Sequence, residues 1–126
     1  MQKETILVIQ DNQKSAYLLD FLLSREGYEV IAATGCYETE TLIGKILPPK
    51  LIILDFGISK ANNNRLIAMI KKRTDWGNTP VLMLVSQYDK TRVTSALDAG
   101  ASDYILQPYS HDELLKQIHR HSESVH

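Results

Sequence analysis

The sequence predicts a doubly wound α/β domain built on a five-stranded parallel sheet. Three observations predict it. Several short runs are apolar throughout rather than alternating, the pattern of strands buried on both faces, and Leu51–Leu54 is the clearest of them. Amphipathic stretches with three- and four-residue spacing separate these runs. The junctions are short and are punctuated by Gly, Pro, Asn and Asp. Strands that alternate with helices through short loops pair in parallel with crossover connections.

Thr5–Ile9 is the first strand, ended by Gln10-Asp11-Asn12. The first helix carries Leu18, Leu19, Leu22 and Leu23 on its apolar side and closes at Gly27. Tyr28–Ala33, rich in β-branched and aromatic residues, is the second strand, and Gly35 turns the chain after it. Leu42, Ile43, Ile46 and Leu47 make a second amphipathic helix that Pro48-Pro49 stops. The third strand is Leu51–Asp55. Gly57 to Asn64 is a loop entering a third helix, with three asparagines suited to turn and cap geometry and with Leu66, Ile67 and Ile70 inward. Thr79-Pro80 introduces the fourth strand, Val81–Val85. Asp89 caps a fourth helix that turns Val93, Ala96 and Leu97 inward and ends at Gly100. Asp103–Leu106 is the fifth strand, broken by Gln107-Pro108. Ser110 and Glu113 have the spacing of a capping box for the last helix, whose core face is Leu114, Leu115 and Ile118.

A length of 126 residues suits one domain over 1–126, with a core over 5–121 and a frayed end at 122–126. Hydrophobic residues at 44% and charged residues at 23% are ordinary for a globular protein. A net charge of −1 creates no global field toward nucleic acid or an anionic membrane, and neither is an expected partner. Lys71-Lys72-Arg73 reads as a solvated helix end. One cysteine, Cys36, permits no internal disulfide and no cysteine-based zinc site. The apolar run Ile6–Ile9 is too short to span a membrane. The expected compartment is the cytoplasm.

Two acids stand at strand ends: Asp11 after the first strand and Asp55 at the end of the third. Ligands of open α/β sheets bind beyond the carboxyl ends of the strands. If those strands are neighbours, the carboxylates converge, and a hard divalent cation such as magnesium would offset their repulsion. Each acid also reads as a helix cap or a solvated strand end.

With those acids in place, the whole chain from Ile6 to His119 resembles the receiver domain of bacterial two-component systems. The residues that carry the resemblance are Ile-Leu-Val-Ile-Gln-Asp-Asn (6–12), Leu-Ile-Ile-Leu-Asp-Phe (51–56), Thr-Pro-Val-Leu-Met-Leu (79–84) and Ala-Gly-Ala-Ser-Asp-Tyr-Ile-Leu-Gln-Pro-Tyr (99–109). The resemblance implies a flavodoxin-like sheet of order 2-1-3-4-5. It implies that Asp55 accepts a phosphoryl group from a sensor histidine kinase. It also implies that magnesium sits on Asp11, Asp55 and the main-chain carbonyl of Gly57.

The sequence departs from that family at three of its five usual site positions. Gln10 replaces the first of two tandem acids; it can bond a metal-bound water but brings no charge, so magnesium binding should weaken. Val85 replaces a Ser or Thr that bonds the phosphoryl group, and the next residue, Ser86, points to the opposite face unless the strand end twists. Gln107 replaces a lysine whose charged contact is worth about 1.5–3 kcal/mol. Tyr104 matches the aromatic that turns inward on activation toward the strand-four hydroxyl. With valine there, the couple is expected to be broken.

The resemblance and its departures lead to an atypical receiver that works through protein–protein contact. It is at most a self-catalysing phosphoacceptor, not an enzyme acting on other substrates. The expected contact residues are Arg92, Asp103, Tyr104, Lys116 and Arg120, on the fourth helix, fifth strand and fifth helix, where a homodimer could also form. The alternative is a working magnesium-dependent receiver phosphorylated on Asp55. A second alternative is a small flavin carrier of related topology, against which the anionic crevice argues. His119 and His121, two apart on a helix, do not share a face for a metal, and His111 reads as a surface residue. No glycine-rich phosphate loop follows the first strand.

Overall fold

β1 (Thr5–Gln10), β2 (Glu29–Thr34), β3 (Leu51–Asp55), β4 (Val81–Val85) and β5 (Asp103–Leu106) pair in parallel in the order β2-β1-β3-β4-β5. The helices between and after them are α1 (Gln13–Arg25), α2 (Gly35–Ile43), α3 (Lys60–Lys72), α4 (Lys90–Ala99) and α5 (His111–Ser122). The computed structural model describes residues 4–10, 13–55, 60–73, 75–85 and 89–122, without the side chains of 13–16, 60–62 and 122. The expected frayed end therefore lies, apart from the backbone of Ser122, outside the described residues.

Alternation along the strands builds two cores. Leu7, Ile9, Ile52, Leu54, Val81, Met83 and Val85 pack on one face with Ile43 of α2, Leu66, Ile67 and Ile70 of α3, and Val93 and Ala96 of α4. Ile6, Val8, Leu51, Ile53, Leu82, Leu84 and Ile105 pack on the other with Leu19 and Leu23 of α1 and Leu114 and Ile118 of α5. The central strands are apolar throughout because both of their faces are covered.

The helix ends follow their local chemistry. Asp89 Oδ1 accepts the Arg92 N–H at 3.1 Å, and Ser110 Oγ accepts the Glu113 N–H at 3.0 Å. Gly100 closes α4 at φ 126°, and a Cβ there would stand 2.8 Å from Lys71 Cγ. The Gln107–Pro108 peptide is cis.

Several expectations are corrected. β1 runs one residue further, to Gln10, and β2 is shifted by one, to Glu29–Thr34. The apolar stripes are narrower than their spacing suggested: Leu18 is 62% and Leu97 37% exposed, because Leu19 with Leu23 and Val93 with Ala96 already fill the seams. Leu115 is only partly buried. α2 ends at Ile43, well before the prolines, where Lys45 and Ile46 N–H turn back onto Leu42 O. Leu47 is left 87% exposed, and besides Ile43 the buried position inside α2 is Thr39, whose hydroxyl donates to Gly35 O at 2.7 Å. Lys72 and Arg73 are exposed as expected, but Lys71 is partly buried: its Nζ donates to Thr79 O at 2.6 Å and Gly77 O at 3.3 Å, tying α3 to the approach to β4. Burial lowers its pKa from the ordinary 10.5. Trp76, fully buried, packs at this same amino-terminal end of the sheet, away from the strand ends that carry the acids.

Candidate functional site

Register assembles the site. Ile9 lies opposite Leu54, so one step on Gln10 stands level with Asp55. Asp55 lies opposite Leu84, and Val85 opposite Leu106. The Gln107 N–H then donates to Val85 O at 2.8 Å, holding the chain after β5 against the end of β4. Gln10, Asp55, Val85 and Gln107, scattered over the sequence, thus meet at one end of four adjacent strands.

They do not share a face. Gln10 continues the Ile6–Val8 series and Asp55 the Leu51–Ile53 series, so both belong to the side covered by α1 and α5. Val85 belongs to the opposite side, fully buried in the apolar cluster, with Tyr104 packed partly against it. Asp11, Gly57 and Ser86 lie outside the described residues.

Gln10 is 3% exposed, and its Oε1 has no hydrogen-bond partner among the described residues. A buried amide oxygen without a partner is costly unless something polar meets it. An amide oxygen beside the Asp55 carboxylate is a donor set of the kind a hard cation or its bound water takes. Among the described residues no group of three or more His, Cys, Asp and Glu side chains could hold a metal ion.

Tyr109 was given no role by the sequence, and the structure places it two residues after Gln107 on the α1 and α5 side of the sheet. It is half-buried against the α1 and α5 core. Burial raises its pKa above 10.0; a side-chain hydrogen bond with Gln107 lowers it, and the charge of Asp55 raises it again. Tyr109 also lines, with Gln107, Pro108, Leu18, Leu22 and His111, an open groove of about 490 Å³. Its position two residues after Gln107 was the only available signal. The strand period ends at Pro108, so spacing alone did not say which face it joins.

Four of the five expected contact residues gather along β5 and α5. Asp103, Tyr104, Lys116 and Arg120 line one groove of about 430 Å³ between β5 and α5. Arg92 is on α4 and is not part of that lining. His121 Nε2 meets Asp103 Oδ2 at 3.1 Å, and the other carboxylate oxygen accepts the Tyr104 N–H at 2.8 Å. His111 Nε2 stands 3.6 Å from Glu26 Oε1.

With this geometry in view, comparison with known proteins is decisive. A family model described as response regulator receiver domain matches residues 6–119. The chain belongs to that family. The transcriptional regulatory protein KdpE of Staphylococcus aureus is 32% identical over 113 residues, covering 90% of this chain and 47% of the relative. KdpE of Mycobacterium tuberculosis strain H37Rv is 32% identical over 114 residues, covering 90% of this chain and 48% of the relative. The chain therefore spans about half the length of the curated relatives it matches. A response regulator from Thermotoga maritima has the same fold, with a TM-score of 0.84 and 26% identity over 98% of this chain and 100% of that one. The receiver fold and its 2-1-3-4-5 sheet are thus those of this chain. Membership sets aside the flavin-carrier alternative. No helix among the described residues is long and apolar enough to cross a membrane.

Proposed function

We propose that this receiver is an atypical one, in which Asp55 is the phosphoacceptor of a site stripped of its usual charges and output runs through protein contacts. The observation that carries this reading is the shared apolar cluster of Val85 and Tyr104. An aromatic switch needs a hydroxyl on β4 to turn toward, and Val85 supplies only methyl groups. Tyr104 is then a fixed part of the β5–α5 surface rather than a moving reporter. Asp103, Tyr104, Lys116 and Arg120 form that surface, and Arg92 on α4 is a further candidate contact. Its mixture of acids and bases suits a signalling partner or a second copy of the chain through α4, β5 and α5. Direct contact with nucleic acid or a membrane is not part of the proposal.

Magnesium would be held by Asp55, with Asp11 and the Gly57 carbonyl as further ligands and Gln10 through water. When bound it would neutralise the charge that develops during transfer. The loss of one carboxylate at Gln10 makes that binding weaker. The second reading is a working receiver, phosphorylated by a histidine kinase with a conformational response. The unpartnered Gln10 oxygen beside Asp55 favours it, because it marks a polar position that a hydrated cation would satisfy.

The test is incubation with acetyl phosphate and magnesium, followed by intact mass. A phosphoryl adduct that vanishes in Asp55→Asn, with hydrogen exchange at Tyr104 unchanged, is the expected result. An adduct that alters exchange across β5 and α5 would replace the atypical reading with the second. Absence of any adduct would remove Asp55 as phosphoacceptor.

A further inference from the structure

We infer that the open edge of β2, with the flank of α2 above it, is a contact surface for a second copy of this chain. The two copies join by antiparallel pairing of β2 with β2, about a two-fold axis through Ile31 and perpendicular to the sheet. The inference is independent of the chemistry at Asp55 and of the β5–α5 surface at the far edge.

β2 is an outer strand, paired only with β1. The Glu29 N–H donates to Glu4 O at 2.9 Å, so Glu29 turns its backbone groups toward the β1 side. Alternation turns Ile31 the same way and leaves the N–H and C=O of Val30 and Ala32 on the open edge. Outer strands are commonly guarded against further pairing by Lys, Pro, a bulge or short length. β2 has six residues, reads Glu-Val-Ile-Ala-Ala-Thr, and keeps an unbroken register with β1, so it carries none of these guards. A groove of about 320 Å³ lies beside it. Ile31 and Ala32 line one wall, and Tyr37, Glu38, Leu42 and Lys45, from α2 and the turn after it, line the other. Tyr37 is 85% exposed there.

The placing of charge selects the occupant. Glu38 is in the first turn of α2 and Lys45 lies just beyond its end, and both line the groove. A two-fold axis at this edge lays α2 antiparallel to its own copy. Glu38 then meets the partner's Lys45, and Lys45 the partner's Glu38, so the surface is its own complement. Strand and helix agree on where the axis passes. Opposed residues of an antiparallel pair both face the partner or both face away, so the axis crosses β2 at a residue. The midpoint between Glu38 and Lys45 falls between Thr41 and Leu42, about 10 Å along α2 from Gly35 at the helical rise. Ile31 lies about 10 Å back along β2 from Thr34 at the strand rise. In this register Val30 and Ala32 exchange backbone hydrogen bonds with the partner's Ala32 and Val30. Ile31, which packs on the α2 side, meets the partner's Ile31. An extended peptide would use the backbone edge but leave Glu38 and Lys45 unmatched.

The experiment is sedimentation equilibrium of the unphosphorylated protein from micromolar to millimolar concentration. It compares wild type, Glu38→Lys, Lys45→Glu, the variant carrying both reversals, and Ala32→Pro. Wild type is expected to form a concentration-dependent dimer. Each single reversal opposes like charges at two symmetric places and should weaken the dimer about fivefold to tenfold. The variant with both reversals restores opposite charges and should return to within about twofold of wild type. Ala32→Pro removes an N–H that faces away from β1 and should abolish the dimer. Urea midpoints identify the folded variants; if Ala32→Pro is unfolded, the charge series decides. Wild type that stays monomeric at millimolar concentration overturns the inference. So does a dimer that neither single reversal weakens, or one that both reversals together fail to restore. A dimer lost instead in Arg120→Glu lies at the β5–α5 surface and overturns the inference as well.

Discussion

On the face covered by α1 and α5, the sheet ends in Gln10 and Asp55, with Gln107 at the same end. On the face covered by α2, α3 and α4, it ends in Val85, with Tyr104 alongside. The first face keeps an acid and two amides where a ligand would bind. The second holds only apolar contact at the position where a hydroxyl would report that ligand. Below this level both faces carry fully buried side chains from each of the central strands β1, β3 and β4. Receiving a phosphoryl group and announcing it are separable tasks on a two-faced sheet, and this chain retains the groups of one more fully than those of the other.

The largest expected effect tests whether the two faces are equal as structure. Ile53→Ala on the α1 and α5 side and Leu54→Ala on the other should each cost about 2–5 kcal/mol in urea unfolding, since both are fully buried on the central strand. A much smaller loss on one side would show that its helices collapse into the space, and would break the comparison at its base.

Restoring the missing charge addresses the receiving face. Gln107→Lys should add a charged contact to the phosphoryl oxygens, about 1.5–3 kcal/mol, and prolong the Asp55 adduct about tenfold or more in an intact-mass decay course. No change would mean that residue 107 does not reach the site.

Val85→Thr addresses the reporting face. A hydroxyl buried in that apolar cluster without a partner should cost about 1–3 kcal/mol, read from the urea midpoint. An unchanged midpoint would show that the hydroxyl has found Tyr104 or another acceptor, and that the couple is recoverable by one substitution.

The cover of that face can be loosened from outside. Asp89→Ala removes the cap of α4 and should cost about 1 kcal/mol by the same measurement. Its effect on the Asp55 adduct should be negligible, because α4 covers the other side.

The smallest effect lies at the opposite end of the sheet and serves as a control on both faces. Burial depresses the Lys71 ammonium below its ordinary 10.5 in the folded protein. The unfolded chain then holds its proton longer, so stability gains from this group as pH rises through the window just below about 10.5. Lys71→Met should remove that gain from urea midpoints compared between about pH 8 and 10.5, without altering the adduct on Asp55.

Much of the scaffold was legible. Continuous apolar runs located β1, β3 and β4, because a strand covered on both faces has no polar alternation. Asp89, Gly100 and Ser110 marked helix ends, because capping is decided within a few residues. Leu18, Leu47 and Leu97 were misread, since hydrophobicity says that a residue can be buried, not that a partner awaits it. Lys71 was misread for the converse reason: two carbonyls brought near by the turn before β4 capture an ammonium that composition assigns to water.

By itself the sequence determined the alternation of strands and helices, the family, and the chemical identity of each altered site position. Those depend on local pattern and on residue type. Only the tertiary structure decided that Gln10 is buried with an oxygen that finds no partner among the described residues, that Val85 and Asp55 end on opposite faces, and that Tyr109 joins the α1 and α5 side. Register between strands distant in sequence and the path of the chain after Pro108 set those relations. Neither leaves a periodic trace in the residues themselves.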